Sequence, residues 1–143
     1  MIMSEDKKEI KPLTFHEVAE LLETLAEAEG TFRRSTQRRV YEYVQKFLFT
    51  SKEDIENIIG KLEALGIPRK IAIQMAYLLP TTHEELKPFF VQMRQMGIKP
   101  ENELELAKKI IEITDPIWRE KYNTILSLRN LSISTLKKTE EKG

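Results

Sequence analysis

Few residues in this chain of 143 have the types and spacing that catalysis or metal binding requires. The chain has no cysteine, and its two histidines, His16 and His83, are far apart at the starts of different predicted helices. Exposed polar side chains are common at such positions. Glu84 and Glu85 are adjacent carboxylates, but neighbouring residues on a helix point about 100° apart. We therefore predict neither a catalytic centre nor a metal site.

Two motifs of phosphate and acyl chemistry are absent from the sequence. Gly60-Lys61 is followed by Leu62 and lacks the upstream glycine of a P-loop. No Gly-x-Ser-x-Gly occurs, so there is no nucleophile elbow. We predict that the chain is not an enzyme and that it uses no cofactor and no small-molecule substrate.

An arginine cluster is the remaining group with a chemical use. Basic side chains interleaved with aromatic rings hold single-stranded nucleic acid. Alternatively, these arginines pair with acidic residues of the first helix, and the sequence leaves both interpretations open. The cluster and the two tyrosines that follow it are Arg33, Arg34, Arg38, Arg39, Tyr41 and Tyr43.

Charge is segregated along the chain although 23 basic residues balance 23 acidic ones. Residues 1–30 carry three lysines against eight acidic residues, a net charge of −5. Residues 31–46 carry four arginines and a lysine against one glutamate, a net charge of +4. The two segments either pair within the molecule or offer faces of opposite sign to different partners. The zero net charge argues against a protein that coats nucleic acid by bulk charge.

The spacing of apolar residues predicts helices almost throughout. Thr14 and Glu17 form a capping box that opens a first helix, and Gly30 ends it. A second helix follows over about 35–49, and the apolar stripes of the first and second helices include Leu25 and Val40 respectively. Ser51 opens a third helix, and a fourth over about 69–79 is so apolar that we expect it at the centre of the domain.

Three further helices are predicted after Pro80. Thr82 caps the fifth, whose apolar stripe includes Phe89 and Met96. A sixth begins after Pro100, and Asp115-Pro116 resembles the N-cap and first residue of a seventh. Apolar positions on the sixth and seventh helices include Leu104, Trp118 and Tyr122. The period fails after about Arg129.

These patterns predict an all-α fold. Its domain would be a small helical bundle over residues 14–130, with an extended N-terminal arm over 1–13. A polar tail over 131–143 would be disordered unless a partner orders it. The most apolar run, residues 71–79, is shorter than the roughly 20 residues of a membrane span. The N-terminus is charged where a signal peptide needs an apolar core. We expect a cytoplasmic protein that does not enter a membrane.

Six segments recur in an order that is similar to one family. They are Leu13-Thr-Phe-His-Glu-Val-Ala-Glu-Leu-Leu, Tyr41-Glu-Tyr-Val-Gln-Lys-Phe, Ser51-Lys-Glu-Asp, Lys61-Leu-Glu-Ala-Leu-Gly-Ile, Ala72-Ile-Gln-Met-Ala-Tyr-Leu-Leu-Pro and Glu84-Glu-Leu-Lys. Over residues 9–114 this set resembles the F subunit of archaeal RNA polymerase, the counterpart of the fourth subunit of eukaryotic RNA polymerase II. Pro88 and the chain beyond Thr114 depart from the family pattern.

The resemblance implies a non-catalytic stalk subunit of DNA-directed RNA polymerase. Family members form a heterodimer with the E subunit near the RNA exit path, and the partner supplies most of the RNA contact. Their C-terminal part resembles the HRDC fold, here over about 51–130. The arm and first helix face the partner, which implies these partner-binding residues: Ile10, Leu13, Phe15, Val18 and Leu22.

Two other functions stay open at this point. One is a free-standing HRDC-like module that binds nucleic acid through Arg33, Arg34, Arg38 and Arg39. The other is a ubiquitin-associated-like adaptor, suggested by Leu65-Gly66-Ile67 between two helices.

Overall fold

The computed structural model describes residues 12–30 and 35–142. Within these ranges the chain forms six helices and no strand, which confirms the predicted all-α class. The predicted arm lies outside the described residues apart from Pro12 and Leu13, which precede the first helix. The helices are α1 (Phe15–Glu29), α2 (Ser35–Gln45), α3 (Lys52–Ala64), α4 (Arg69–Leu78), α5 (His83–Gln95) and α6 (Glu103–Lys142).

The chain divides into two compact units, one ending at Gln45 and the other beginning at Lys46. The helices of the first unit are α1 and α2, which pack against each other. The second unit contains α3 to α6, in which α3 packs on α4, and α6 packs on α3 and α5.

The start of α1 is fixed by the predicted capping box. The Thr14 side chain accepts a hydrogen bond from the backbone N–H of Glu17 at 3.1 Å, and the Glu17 carboxylate accepts one from the N–H of Thr14 at 3.0 Å. This exchange satisfies two backbone donors that have no partner within the helix. Gly30 then ends α1 with φ of 80°, a left-handed conformation that costs glycine little.

The second unit is organised around α4. Six of its ten residues are buried, which confirms the predicted central position of this helix. Helices α3 and α5 each bury four apolar side chains in the core. Pro88 lies inside α5 without ending it.

A buried threonine ties α6 to the connection between α4 and α5. The Thr114 hydroxyl donates to the carbonyl of Pro80 at 2.5 Å, with the Ile110 carbonyl 3.2 Å away as an alternative acceptor. Leu79, just before Pro80, is left-handed with φ of 49°. Leu79 is also buried, so the apolar contacts of its side chain offset the strain of this conformation.

The predicted break at Asp115-Pro116 is wrong. The single helix α6 runs through Pro116 and on to Lys142, so the segment predicted as a polar tail is helical up to that residue. The Asp115 carboxylate does not cap a helix; it pairs with Arg119 at 2.9 Å. Buried Ile110 and Ile125 hold the helix in the core on both sides of the proline. No glycine or further proline interrupts residues 117–142.

Five residues on predicted apolar stripes are exposed, and one of them is Tyr122 on α6, at 45%. Met96 is the C-cap of α5 and lies past the last helical turn, which explains its exposure. Leu104 lies in the first turn of α6. The other two, Leu25 and Val40, belong to the first unit. None of the helices that the structure describes is long and apolar enough to cross a membrane.

Candidate interaction surface of the helical hairpin

The residues predicted to bind a partner fall into three groups. Ile10 lies outside the described residues, and Leu13 is exposed. Phe15 and Val18 are half-buried, and Phe15 makes an edge contact with Tyr43, the ring centroids being 6.4 Å apart. Leu22 is buried, with 8% of its surface exposed. The structure therefore does not place these residues on one open face.

A hydrogen bond shows which side of the α1–α2 hairpin is open. The Tyr41 hydroxyl donates to the Glu23 carboxylate at 2.7 Å, so these two side chains lie on the same flank. Residues two apart on a helix point about 200° away from each other. Leu21 and Leu25 are each two residues from Glu23, and Tyr43 is two residues from Tyr41. They therefore lie on the opposite flank of the hairpin.

That opposite flank is apolar and solvent-exposed. We call it the apolar flank and define it by Leu21, Leu25, Val40 and Tyr43, with exposed fractions of 53%, 40%, 40% and 54%. Val40 belongs to it because it lies three residues from Tyr43, on the same face of α2. Neighbouring large apolar side chains left in water commonly mark an interaction site.

Sequence reasoning missed Leu21 and assigned Leu25 and Val40 to the buried faces of their helices. The apolar arc of α1 extends from Leu21 to Ala19 and is wider than one neighbouring helix covers. The width of this arc is the feature of the sequence that could have predicted an exposed apolar edge on α1. Which edge of the arc α2 covers depends on how the two helices pack, and local periodicity does not contain that information.

The hydrogen bond also separates the roles of the two tyrosines. Glu23 accepts the hydrogen bond from the Tyr41 hydroxyl, and this bond raises the pKa of Tyr41 above its ordinary value of 10.0. Burial and the negative charge of Glu23 raise the pKa of Tyr41 as well. Tyr41 is therefore engaged within the hairpin. Tyr43 presents a half-exposed ring one helical turn from Arg39.

Charge is one-sided on α1, whereas α2 carries both signs. Helix α1 carries five glutamates and no lysine or arginine. Arg38 and Arg39 on α2 are exposed, and neither forms an ion pair within the part of the chain that the structure describes. The predicted pairing of these two arginines with α1 is therefore not seen there. Arg33 and Arg34 lie outside the described residues.

The second unit has two polar features that could be mistaken for a site. The Nε2 atom of His83 is buried without a hydrogen bond, 4.0 Å from the Glu103 carboxylate, whose other oxygen lies 3.3 Å from Arg94. Among residues 12–30 and 35–142, no three histidine or acidic side chains converge as a metal site requires.

The second feature is an open cleft of about 250 Å³ between α3 and α6. It is lined by acidic and basic side chains, including Asp54 and Lys121. The hydrogen bond from Thr50 lowers the pKa of Asp54 against the opposing effect of burial, with help from Ser51 and Lys121. Ser51 and Asp54 belong to the N-terminal cap of α3, and Lys121 lines the same cleft from α6.

The comparisons with known proteins find similarity to a relative over part of the chain. No family model matches the sequence, and no solved structure matches it. The chain is 31% identical over 70 residues to the DNA-directed RNA polymerase subunit Rpo4 of Methanocaldococcus jannaschii. The match includes 49% of this chain and 60% of that relative, so the chain spans less than two thirds of the relative's length.

Proposed function

We propose that the chain is a non-catalytic subunit of a DNA-directed RNA polymerase. The observation that carries the proposal is the 31% identity over 70 residues with an archaeal polymerase subunit. The ordered segments of residues 9–114 support the same family independently of any single motif. The exposed apolar flank also fits a subunit that binds other proteins.

In finer detail, the chain forms a heterodimer with an E-type subunit and belongs to the polymerase stalk near the RNA exit path. The apolar flank and Leu13 are the surface for that partner, in place of the buried Leu22. Tyrosine and leucine at the centre of a patch, with charged residues around it, are typical of protein interfaces.

Co-purification tests this function. The full chain is tagged in its native cell, the complex is washed at moderately high salt, and the retained proteins are identified. We expect a stoichiometric E-type partner together with the large polymerase subunits. Recovery of the chain alone, folded and monomeric, would overturn the proposal.

A second candidate function is direct contact with single-stranded RNA, either within the stalk or as a free-standing HRDC-like module. Exposed Arg39 and the half-exposed ring of Tyr43, one turn apart, favour it. Fluorescence anisotropy with a labelled single-stranded RNA across a salt series tests it on the full chain. We expect R38A/R39A to reduce affinity and flatten the salt dependence. The matched variant K108A/K109A on α6 should not do so.

A further inference from the structure

We propose that His83 is a pH-dependent fastener between α5 and the first turn of α6. When its imidazole takes up a proton, it forms an ion pair with the Glu103 carboxylate, and when it loses that proton the ion pair opens. The fastener joins two helices of the second unit and does not depend on the proposed function.

The first support is a buried ring nitrogen without a partner. The Nε2 atom of His83 is shielded from solvent and makes no hydrogen bond to any residue that the structure describes. It lies 4.0 Å from one oxygen of the Glu103 carboxylate, which is beyond hydrogen-bond length. A buried polar atom without a partner costs free energy. A protonated imidazole donates from both nitrogens, so a small approach of the two side chains would satisfy this one.

The second support is that both partners of the ion pair are held in place. The other oxygen of Glu103 lies 3.3 Å from the guanidinium of Arg94. The His83 ring packs against Phe90, which is fully buried, with the ring centroids 6.1 Å apart. His83, Phe90 and Arg94 are spaced by seven and four residues and therefore share one face of α5. The Glu103 carboxylate thus has a permanent positive charge at one oxygen and a titratable group at the other.

Two electrostatic effects act on a proton at His83 in opposite directions. His83 is the first residue of α5, where the positive end of the helix dipole disfavours a cation. The negative charge of Glu103 favours a cation there. Among the described residues, Glu103 is the one charged group within 4.0 Å of the imidazole, and the charged residues of α5 within one turn are Glu84, Glu85 and Lys87. The ion pair therefore depends on the charge of Glu103.

The charge of histidine changes in the range in which the fastener would work. Histidine side chains gain and lose a proton between about pH 5 and 8. Above this range the Arg94–Glu103 pair ties α5 to the first turn of α6. Below it the imidazolium of His83 adds a second tie to the same carboxylate. The side chains of His83 and Glu103 are 35% and 37% exposed, so solvent screens the ion pair and its effect is modest.

A double-mutant cycle at two pH values tests the proposal on the full chain. His83→Gln and Glu103→Gln remove the two charges, singly and together, and urea unfolding gives the unfolding equilibrium constant of each protein. At about pH 5.5 histidines are mostly protonated and glutamates ionised, and at about pH 8 histidines are neutral. We expect the two substitutions to be coupled about two- to fivefold in that constant at the lower pH. At the higher pH the coupling should disappear.

His16→Gln is the matched control, because it changes the other histidine of the chain, which lies at the start of α1 in the first unit. Combined with Glu103→Gln it should show no coupling at either pH. Circular dichroism establishes that each variant is folded, and Glu103→Ala takes the place of Glu103→Gln if that variant is not.

The pH dependence of the coupling decides the proposal. No coupling between residues 83 and 103 at the lower pH overturns it. Coupling that is as large at the higher pH as at the lower also overturns it, because the contact would then not depend on the proton. The measurement uses the isolated chain, so this inference and the proposed function can fail separately.

Discussion

The hydrogen bond between Tyr41 and Glu23 lies on one flank of the hairpin, and Leu21, Leu25 and Tyr43 lie on the other. Because the pKa of Tyr41 is raised in the folded state, the stability from this hydrogen bond is fully present below the ordinary tyrosine pKa of 10.0. It is lost as the pH rises through the higher folded-state pKa.

Tyr41→Phe tests this contact. We expect it to lower the free energy of unfolding by about 0.5 kcal/mol at neutral pH, the low end for a hydrogen bond because the contact is exposed. Urea unfolding at neutral pH and in a series of alkaline buffers measures the difference from wild type. That difference should shrink as Tyr41 ionises. A difference that stays constant across the series would show that the bond does not carry the effect.

Thr114 is the second residue whose role can be measured. Thr114→Val removes the buried hydroxyl and leaves the Pro80 carbonyl without its donor. We expect a loss of about 1–3 kcal/mol in the free energy of unfolding, the usual cost of an unsatisfied buried polar group. Thr124→Val, on the exposed side of the same helix, is the control and should be close to neutral. Equal effects of the two substitutions would contradict the role of Thr114.

At the scale of elements, the sequence predicted the helix starts at Thr14, Ser51 and Thr82 correctly and a helix start at Asp115 wrongly. The caps at Thr14, Ser51 and Thr82 involve residues within one turn, so local sequence contains the whole interaction. Asp115-Pro116 is an equally local signal for a new helix, but the burial of Ile110 and Ile125 in the core favours one continuous helix. The apolar flank could not be predicted because it depends on how α2 lies against α1.

Pro116→Ala tests the continuity of α6. An interior proline removes one backbone hydrogen bond and crowds the preceding turn. If α6 is continuous, alanine should raise the free energy of unfolding by about 1 kcal/mol or more. Guanidinium unfolding followed by circular dichroism measures this. A destabilised variant would instead indicate that the proline is needed to start a separate helix.

At the scale of the whole molecule, the proposed function depends on an exposed surface. Leu21→Glu and Leu104→Glu change exposed leucines in different units, Leu21 being 53% exposed and Leu104 63%. We expect the first to lower recovery of the polymerase partner at least about tenfold, because it places a carboxylate in an apolar interface. The second should leave recovery unchanged. Quantitative mass spectrometry of the tagged variants from native cells gives the comparison, and equal recovery would remove the apolar flank from the interface.

The most direct test of the central claim starts from the polymerase and not from this chain. RNA polymerase is purified from the native cell through a tag on its largest subunit, and this chain is quantified in the intact enzyme. A polymerase subunit should be present in stoichiometric amount and should remain through a high-salt wash. Absence of the chain from active, otherwise complete polymerase would contradict the account.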